Sequence, residues 1–197
     1  MRIVFLSVLL LTTYAFAQKG TLIRNNTLDF AMATTTFGIE QHIAKSISVQ
    51  FNAGYTYAET FAIYDARDLR GIAVDVQGRK YFPRKSDYPL GEFYIGVSVV
   101  HRMAYYTTDE SYWIDNLYIY NPNTRVNAGY TSVGFIAGYQ WEILKGKLFW
   151  DNYIGMCGRI GSGYTRKDYG FDFGNLFELS YKGPAPKIGT GFSVAIR

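Results

Sequence analysis

The chain has 197 residues, with 20 Lys and Arg against 16 Asp and Glu and a formal net charge of +4. That length holds one domain with a core and scarcely two, and so diffuse a basic excess, with no run of Lys or Arg, excludes a nucleic-acid-binding surface. A single cysteine, Cys157, excludes an intrachain disulfide and a multi-cysteine metal site.

Met1–Gln18 begins with Arg2, continues through the apolar run Ile3–Leu11 and reaches Ala15-Phe16-Ala17. A basic start, a short apolar core and an A-x-A site predict a secretory signal peptide over residues 1–17. It is too short for a spanning helix of about 20 residues. The mature chain, residues 18–197, is then expected to be exported as one domain.

Asn26–Ala33 places Leu28, Phe30 and Met32 on one face, and Thr34–Thr36 reads as a tight connection. Phe37–Ile43 alternates again, with Glu40 opposite Phe37 and Ile39. Ser46–Tyr57 alternates Ile47, Val49, Phe51, Ala53, Tyr55 and Tyr57 with Ser48, Gln50, Asn52, Gly54 and Thr56. A polar loop is expected over Ala58–Asp68. Leu69–Phe82 sets Ile72, Val74 and Val76 against Ala73, Asp75, Gln77 and Arg79, and Pro83–Leu90 reads as a turn.

Gly91–Tyr106 is the clearest stretch. Phe93, Ile95, Val97, Val99, His101, Met103 and Tyr105 share one face, and Glu92, Tyr94, Gly96, Ser98, Val100, Arg102, Ala104 and Tyr106 share the other. Side chains on a strand alternate between faces. A tilted strand needs roughly 9–11 residues to cross a bilayer, which this stretch exceeds. Thr107–Arg125 reads as a long excursion ending in the turn residues Asn121-Pro122-Asn123. Val126–Trp141 is a strand, followed by a short turn at Leu144-Lys145-Gly146 and a further strand over Lys147–Ile160. Gly161–Pro186 reads as a second long loop, with a short hairpin around Leu176–Tyr181. Lys187–Arg197 is the last strand.

Eight alternating segments predict an all-β fold, a closed antiparallel transmembrane β-barrel with short periplasmic turns and longer extracellular loops. Two features favour a membrane over water. The non-apolar faces carry Gly, Ser, Asn and Gln with isolated charges rather than many Lys and Glu, which suits the cramped inside of a small barrel. Long connections are expected after the third, fifth and seventh strands and short ones after the fourth and sixth. Aromatic girdles fit as well, with Tyr55, Tyr57, Tyr105 and Tyr130 near one rim and Phe82, Phe93, Tyr139, Trp141 and Trp150 near the other. Hydrocarbon offers no hydrogen-bond partners, so such a sheet must close on itself.

Several segments resemble a family of small bacterial outer-membrane β-barrels described as a domain of unknown function. They are Asn26-Thr27-Leu28, Thr34–Thr36 with Phe37-Gly38-Ile39-Glu40, Gln77-Gly78-Arg79-Lys80-Tyr81-Phe82, Phe93-Tyr94-Ile95-Gly96, Gly138-Tyr139-Gln140-Trp141 and Tyr181-Lys182-Gly183-Pro184. The resemblance runs from about Asn26 onward and implies a barrel and an outer-membrane address, not an activity. The chain departs from the pattern of such barrels at its end, where Ile196-Arg197 stand in place of an aromatic.

Asp29, Glu40, Asp75, Arg79, Glu92, Arg102, Asp151 and Arg159 fall on the lumen-facing parity. They are a polar pathway, an acid–base site or an interior salt-bridge network. Charges away from water persist when paired, and a barrel of about eight strands is just filled by side chains, so a network without a continuous channel is expected, with Glu40 and Arg79 as the pair to test first. His101 lies on the lipid side with Ser98 on the opposite face, which gives no nucleophile–base pair. His42 sits at a turn, and two scattered histidines predict no zinc site. Cys157 is expected to be an inert inward thiol. Gly158, Gly161 and Gly163 lack the strand–helix context of a phosphate loop, and Asn25-Asn26-Thr27 is a sequon with no meaning in bacterial export. Asp109, Glu110, Asp115, Asp168 and Asp172 do not match a calcium-loop spacing.

No catalytic group, cofactor or metal is therefore expected, and the partners are outer-membrane lipid and a protein or glycan met by loop aromatics such as Trp113, Tyr118, Tyr120 and Tyr181. Two other classes stand beside this reading. A soluble lipocalin-like carrier of a hydrophobic ligand would turn the apolar faces inward. A barrel enzyme acting on lipid A or phospholipid would depend on His101.

Overall fold

A computed structural model describes residues 21–27, 34–61, 66–82, 91–114, 117–163 and 183–196. They form eight strands: β1 (Thr21–Asn26), β2 (Thr34–Ala44), β3 (Ile47–Phe61), β4 (Ala66–Phe82), β5 (Gly91–Ile114), β6 (Leu117–Leu144), β7 (Leu148–Gly163) and β8 (Gly183–Ile196). Each pairs antiparallel with the next, and β1 pairs with β8 to close the barrel, Ile23 opposite Val194. Residues 1–20, with the expected signal peptide, lie outside the described residues.

The alternation is inside out relative to a water-soluble protein. Phe135 and Ile160 on the outside are 76% and 75% exposed, whereas Arg79, Glu40 and Asp151 on the inside are at most 1% exposed. Val97 faces out and Ser98 faces in, the reverse of a lipocalin-like carrier. On β5 the outward apolar run from Phe93 to Met103 covers eleven residues, ten strand steps or about 25 Å of height at a tilt of about 40°. Toward the short-turn end an aromatic belt passes from strand to strand. Phe82 meets Phe93 at 5.9 Å between ring centroids, Tyr139 meets Trp141 at 4.6 Å, Trp141 meets Trp150 at 5.3 Å and Trp150 stacks on Phe192 at 6.4 Å.

Several expectations about strand ends are corrected. The first strand is residues 21–26 rather than 26–33, of which 28–33 lie outside the described residues. Thr34–Thr36 is not a connection but the start of β2, because the β-branched threonines pack in a ladder and the Thr34 and Thr56 hydroxyls bond across it at 2.7 Å. Residues 58–61 and 66–68, expected in a loop, extend β3 and β4. The expected excursion over 107–125 is mostly a hairpin, with Trp113 opposite Tyr118 and Ile114 opposite Leu117. Its Asn-Pro-Asn makes a bulge instead of a turn: the register slips between Thr108 and Glu110, and Asn123 takes a positive φ of 57°. Residues 183–186 belong to β8, and the hairpin expected around 176–181 lies outside the described residues, as does the turn expected over 83–90. Tyr130 is buried inside rather than in the outer girdle.

Between β5 and β6, length expected in a loop is therefore taken up by strand. Two residues, 115 and 116, join β5 to β6, but these strands run to 24 and 28 residues and rise well past their neighbours. At the opposite end β6 turns tightly into β7, with Gly146 at a φ of 63°.

Two glycines shape the inner wall. Tyr94 pairs with Gly138 and Tyr153 with Gly189, and each ring lies flat over its glycine. A methyl at Gly189 would sit 2.1 Å from a Tyr153 ring carbon, and one at Gly138 would sit 2.5 Å from the Tyr94 ring. Gly138→Val and Gly189→Val are each expected to cost about 1–3 kcal/mol by overpacking, read as a lowered urea midpoint in detergent. Gly158→Ala, where the added carbon meets nothing within 4 Å, should leave the midpoint unchanged.

Candidate functional site: the charged interior

The barrel interior has two storeys. Toward the tall hairpin it is lined by an apolar cluster of Leu69, Ala104, Val126, Ala128 and Tyr130. Toward the short-turn end it holds a charge quartet. Arg24 on β1 bonds both Glu40 on β2 and Asp151 on β7, while the Arg79 guanidinium on β4 lies 3.5 Å from Glu40 and 3.1 Å from Asp151. Two cations and two anions alternate, so the buried group is neutral, the condition under which such charges can leave water.

Hydrogen bonds complete the quartet. Ser48 and Tyr81 donate to Glu40 at 2.6 and 2.5 Å, and the Tyr94 hydroxyl donates to Asp151 at 3.1 Å. Arg79 donates twice to the Gln77 carbonyl, at 3.0 and 2.6 Å, and its guanidinium lies 4.3 Å from the centre of the Tyr94 ring. Both the planar fork and its face are thereby used. A crevice of about 10 Å³ beside Arg24, Gln50, Asp151 and Tyr153 is on the scale of one water molecule.

Higher up, Asp75 accepts from Lys187 at 3.0 Å, from Ser98 at 3.0 Å and from Gln77 at 2.6 Å, and Lys187 also donates to Ser98. A serine beside a lysine has the composition of a hydrolytic pair. Here the ammonium donates to Asp75 and Ser98 alike and Ser98 is buried, so the group serves as a brace between β4, β5 and β8.

Of the eight residues read from sequence, Glu40, Arg79 and Asp151 meet in one cluster and Asp75 sits in the second. Glu92 faces inward near the short-turn mouth, half-buried, and makes no ion pair among the described residues. Arg102 is buried higher up, and Arg159 lies over the Tyr130 ring at 4.5 Å. Asp29 lies outside the described residues. Sequence reasoning missed Arg24, which precedes the first strand it recognised, and Lys187, whose inward parity with Gly189 and Gly191 was the available signal. His101 faces outward and meets Thr131 at 2.9 Å across β5 and β6. No carboxylate orients the imidazole among the described residues, so the third group of a triad is missing there. Cys157 is buried and bonds the Ala185 carbonyl. No cluster of His, Cys, Asp or Glu among the described residues has metal-site geometry.

Beyond the apolar band, Asp109 organises the base of the tall hairpin. It accepts from the Asn123 amide at the bulge at 2.9 Å, from Tyr120 at 3.1 Å and from Arg67 at 2.5 Å. The Asn123 amide, with Tyr120 and Arg67, holds its carboxyl below the usual carboxylate range.

Two predictions follow from these clusters. Glu40→Gln or Arg79→Met alone leaves an unmatched buried charge and should cost about 3–5 kcal/mol. The double variant should cost less than the sum of the two, which a urea-unfolding cycle in detergent measures. Asp109→Ala should speed amide exchange at Asn123 and leave the barrel midpoint unchanged. Because the folded value of Asp109 lies below the unfolded one, its contribution is complete above the ordinary aspartate value of about 3.9 and fades as pH falls through the folded value. Wild-type exchange at Asn123, corrected for its intrinsic pH dependence, should therefore approach that of the variant only at lower pH.

Residues 3–182 match the family described as protein of unknown function (DUF3575). No curated protein matches the sequence. Among solved structures, the N-terminal β-barrel domain of Pseudomonas aeruginosa OprF is similar at 10% identity, over 91% of this chain and 98% of that one, with a TM-score of 0.44. With the match extending over most of its length, the chain belongs to the DUF3575 family.

Proposed function

We propose that this protein is an integral outer-membrane β-barrel, exported through the signal peptide of residues 1–17, whose task is structural and surface-directed rather than catalytic. The observation that carries this is the inverted partition: a continuous outer band of exposed Ile, Val, Phe and Met, with the charges withdrawn into the bore. In water such a band would be an apolar patch far above what a monomer exposes. Against acyl chains it is matched, and the closed ladder leaves no edge in hydrocarbon.

The filled, charge-bridged bore supports a plug rather than a channel. The tall β5–β6 hairpin carries exposed Leu117, Tyr118 and Tyr120, which fits contact with a protein or glycan at the cell surface. The test is membrane behaviour. The protein is expected to stay with carbonate-washed outer membranes and to migrate faster on gels unheated than boiled. A spin label at position 97 should be quenched by an apolar reagent and one at position 98 should not. Recovery as a soluble periplasmic monomer would refute the reading.

A further inference from the structure

On the outer face, at the upper edge of the apolar band, the wall has a depression of about 510 Å³ across β3 to β6, lined by Tyr55, Arg70, Ile72, Met103, Tyr105 and Gly129 among others. Its size is that of a small-molecule pocket. Its floor is low because Gly129 faces Met103 and carries no side chain, while Tyr55 and Tyr105 stand at its sides.

Cations gather at the upper lip. Arg70 lies 5.8 Å from the Tyr57 ring centre, and Arg125 lies 4.7 Å from that of Tyr105. Both are exposed, and neither pairs with a carboxylate among the described residues. Two of the neighbouring acids are engaged elsewhere: Asp109 by Arg67, and Glu59 by the Tyr57 hydroxyl at 3.4 Å. An apolar trough capped by two guanidinium forks therefore faces outward at the rim. Guanidinium forks match phosphate oxygens, and the trough matches hydrocarbon.

We propose that this depression is a binding site for an acylated, phosphate-bearing lipid of the outer leaflet, with its phosphate on Arg70 and Arg125 and an acyl chain against Ile72 and Met103. The proposal rests on the membrane reading above. It assigns to this lipid one particular stretch of the perimeter rather than the whole band.

The test uses the full-length protein purified in an uncharged detergent, with native mass spectrometry after addition of diphosphoryl lipid A or its chemically dephosphorylated form. The wild type should retain the phosphorylated lipid about tenfold better, the scale of a charge-assisted hydrogen bond. Arg70→Gln with Arg125→Gln should abolish that preference. Met103→Trp, which fills the trough, should lower retention of both lipids. Lys80→Gln, an outward cation at the opposite rim, should leave the preference intact. Equal retention of both lipids by the wild type, an unchanged preference in the double variant, or loss of preference in Lys80→Gln would each overturn the site. These substitutions change outward side chains, and heat-modifiable migration checks each barrel. A wild type without that migration would sink the membrane reading, whereas an intact barrel without the preference sinks the lipid site alone.

Discussion

Two guanidiniums and two carboxylates share the inside of a narrow tube, and the rest of the interior is arranged around keeping them matched. Any one of Arg24, Glu40, Arg79 and Asp151 left alone away from water would carry a penalty of several kcal/mol. The surrounding groups are accordingly donors to oxygen or acceptors from guanidinium: Ser48, Tyr81 and Tyr94 on the acids, Gln77 on Arg79. The tyrosines add a second service, since Tyr94 also presents its ring face to Arg79. Tyr94 and Tyr153 need space to lie against the wall, and Gly138 and Gly189 provide it. Charge matching around Arg79 and Asp151 thus accounts, through Tyr94, for Gly138, which touches no charge itself.

The outer wall obeys a different rule. Its residues are interchangeable in chemistry but ordered by height, with Trp and Phe toward one rim, aliphatic side chains with Phe51 and Phe135 between, and Tyr with Arg at the other. Position along the strand, more than any pairwise contact, decides what is tolerated there. That separation lets interior and exterior vary independently, because odd and even positions on one strand answer to different surroundings.

The alternation was the legible part. From Glu92 to Tyr106 the side chains face the way a period of two says, and Glu40, Asp75, Arg79 and Asp151 were placed inside on parity alone. Tyr130 shows the limit of residue type: its parity with Ser132 and Gly134 put it inside, but its aromatic character suggested the girdle. The ends of strands were harder to read. Whether Thr34–Thr36 or residues 107–114 pair is decided by the partner strand, and the partner is distant from the local sequence. Asn121-Pro122-Asn123 carries a turn signal that the hairpin absorbs as a bulge, with the Asp109 carboxylate capping the freed Asn123 amide. Arg24 escaped notice because a six-residue strand containing a charge looks like a leader-to-domain linker until its neighbours on both sides are known.

The quartet also bears on the order of assembly. Arg24 and Asp151 are 127 residues apart in the chain, and their strands come together only when the sheet wraps round and β1 meets β8. Until that moment the β1–β4 sheet can hold Arg24, Glu40 and Arg79 together, two bases for one acid, while Asp151 waits on β7. Long-range contacts of this kind return nothing until the chain entropy of closure has been met. The last of the electrostatic reward is therefore withheld from half-formed sheets and granted to the finished cylinder, so the latch that seals the bore doubles as a check that the ring has closed.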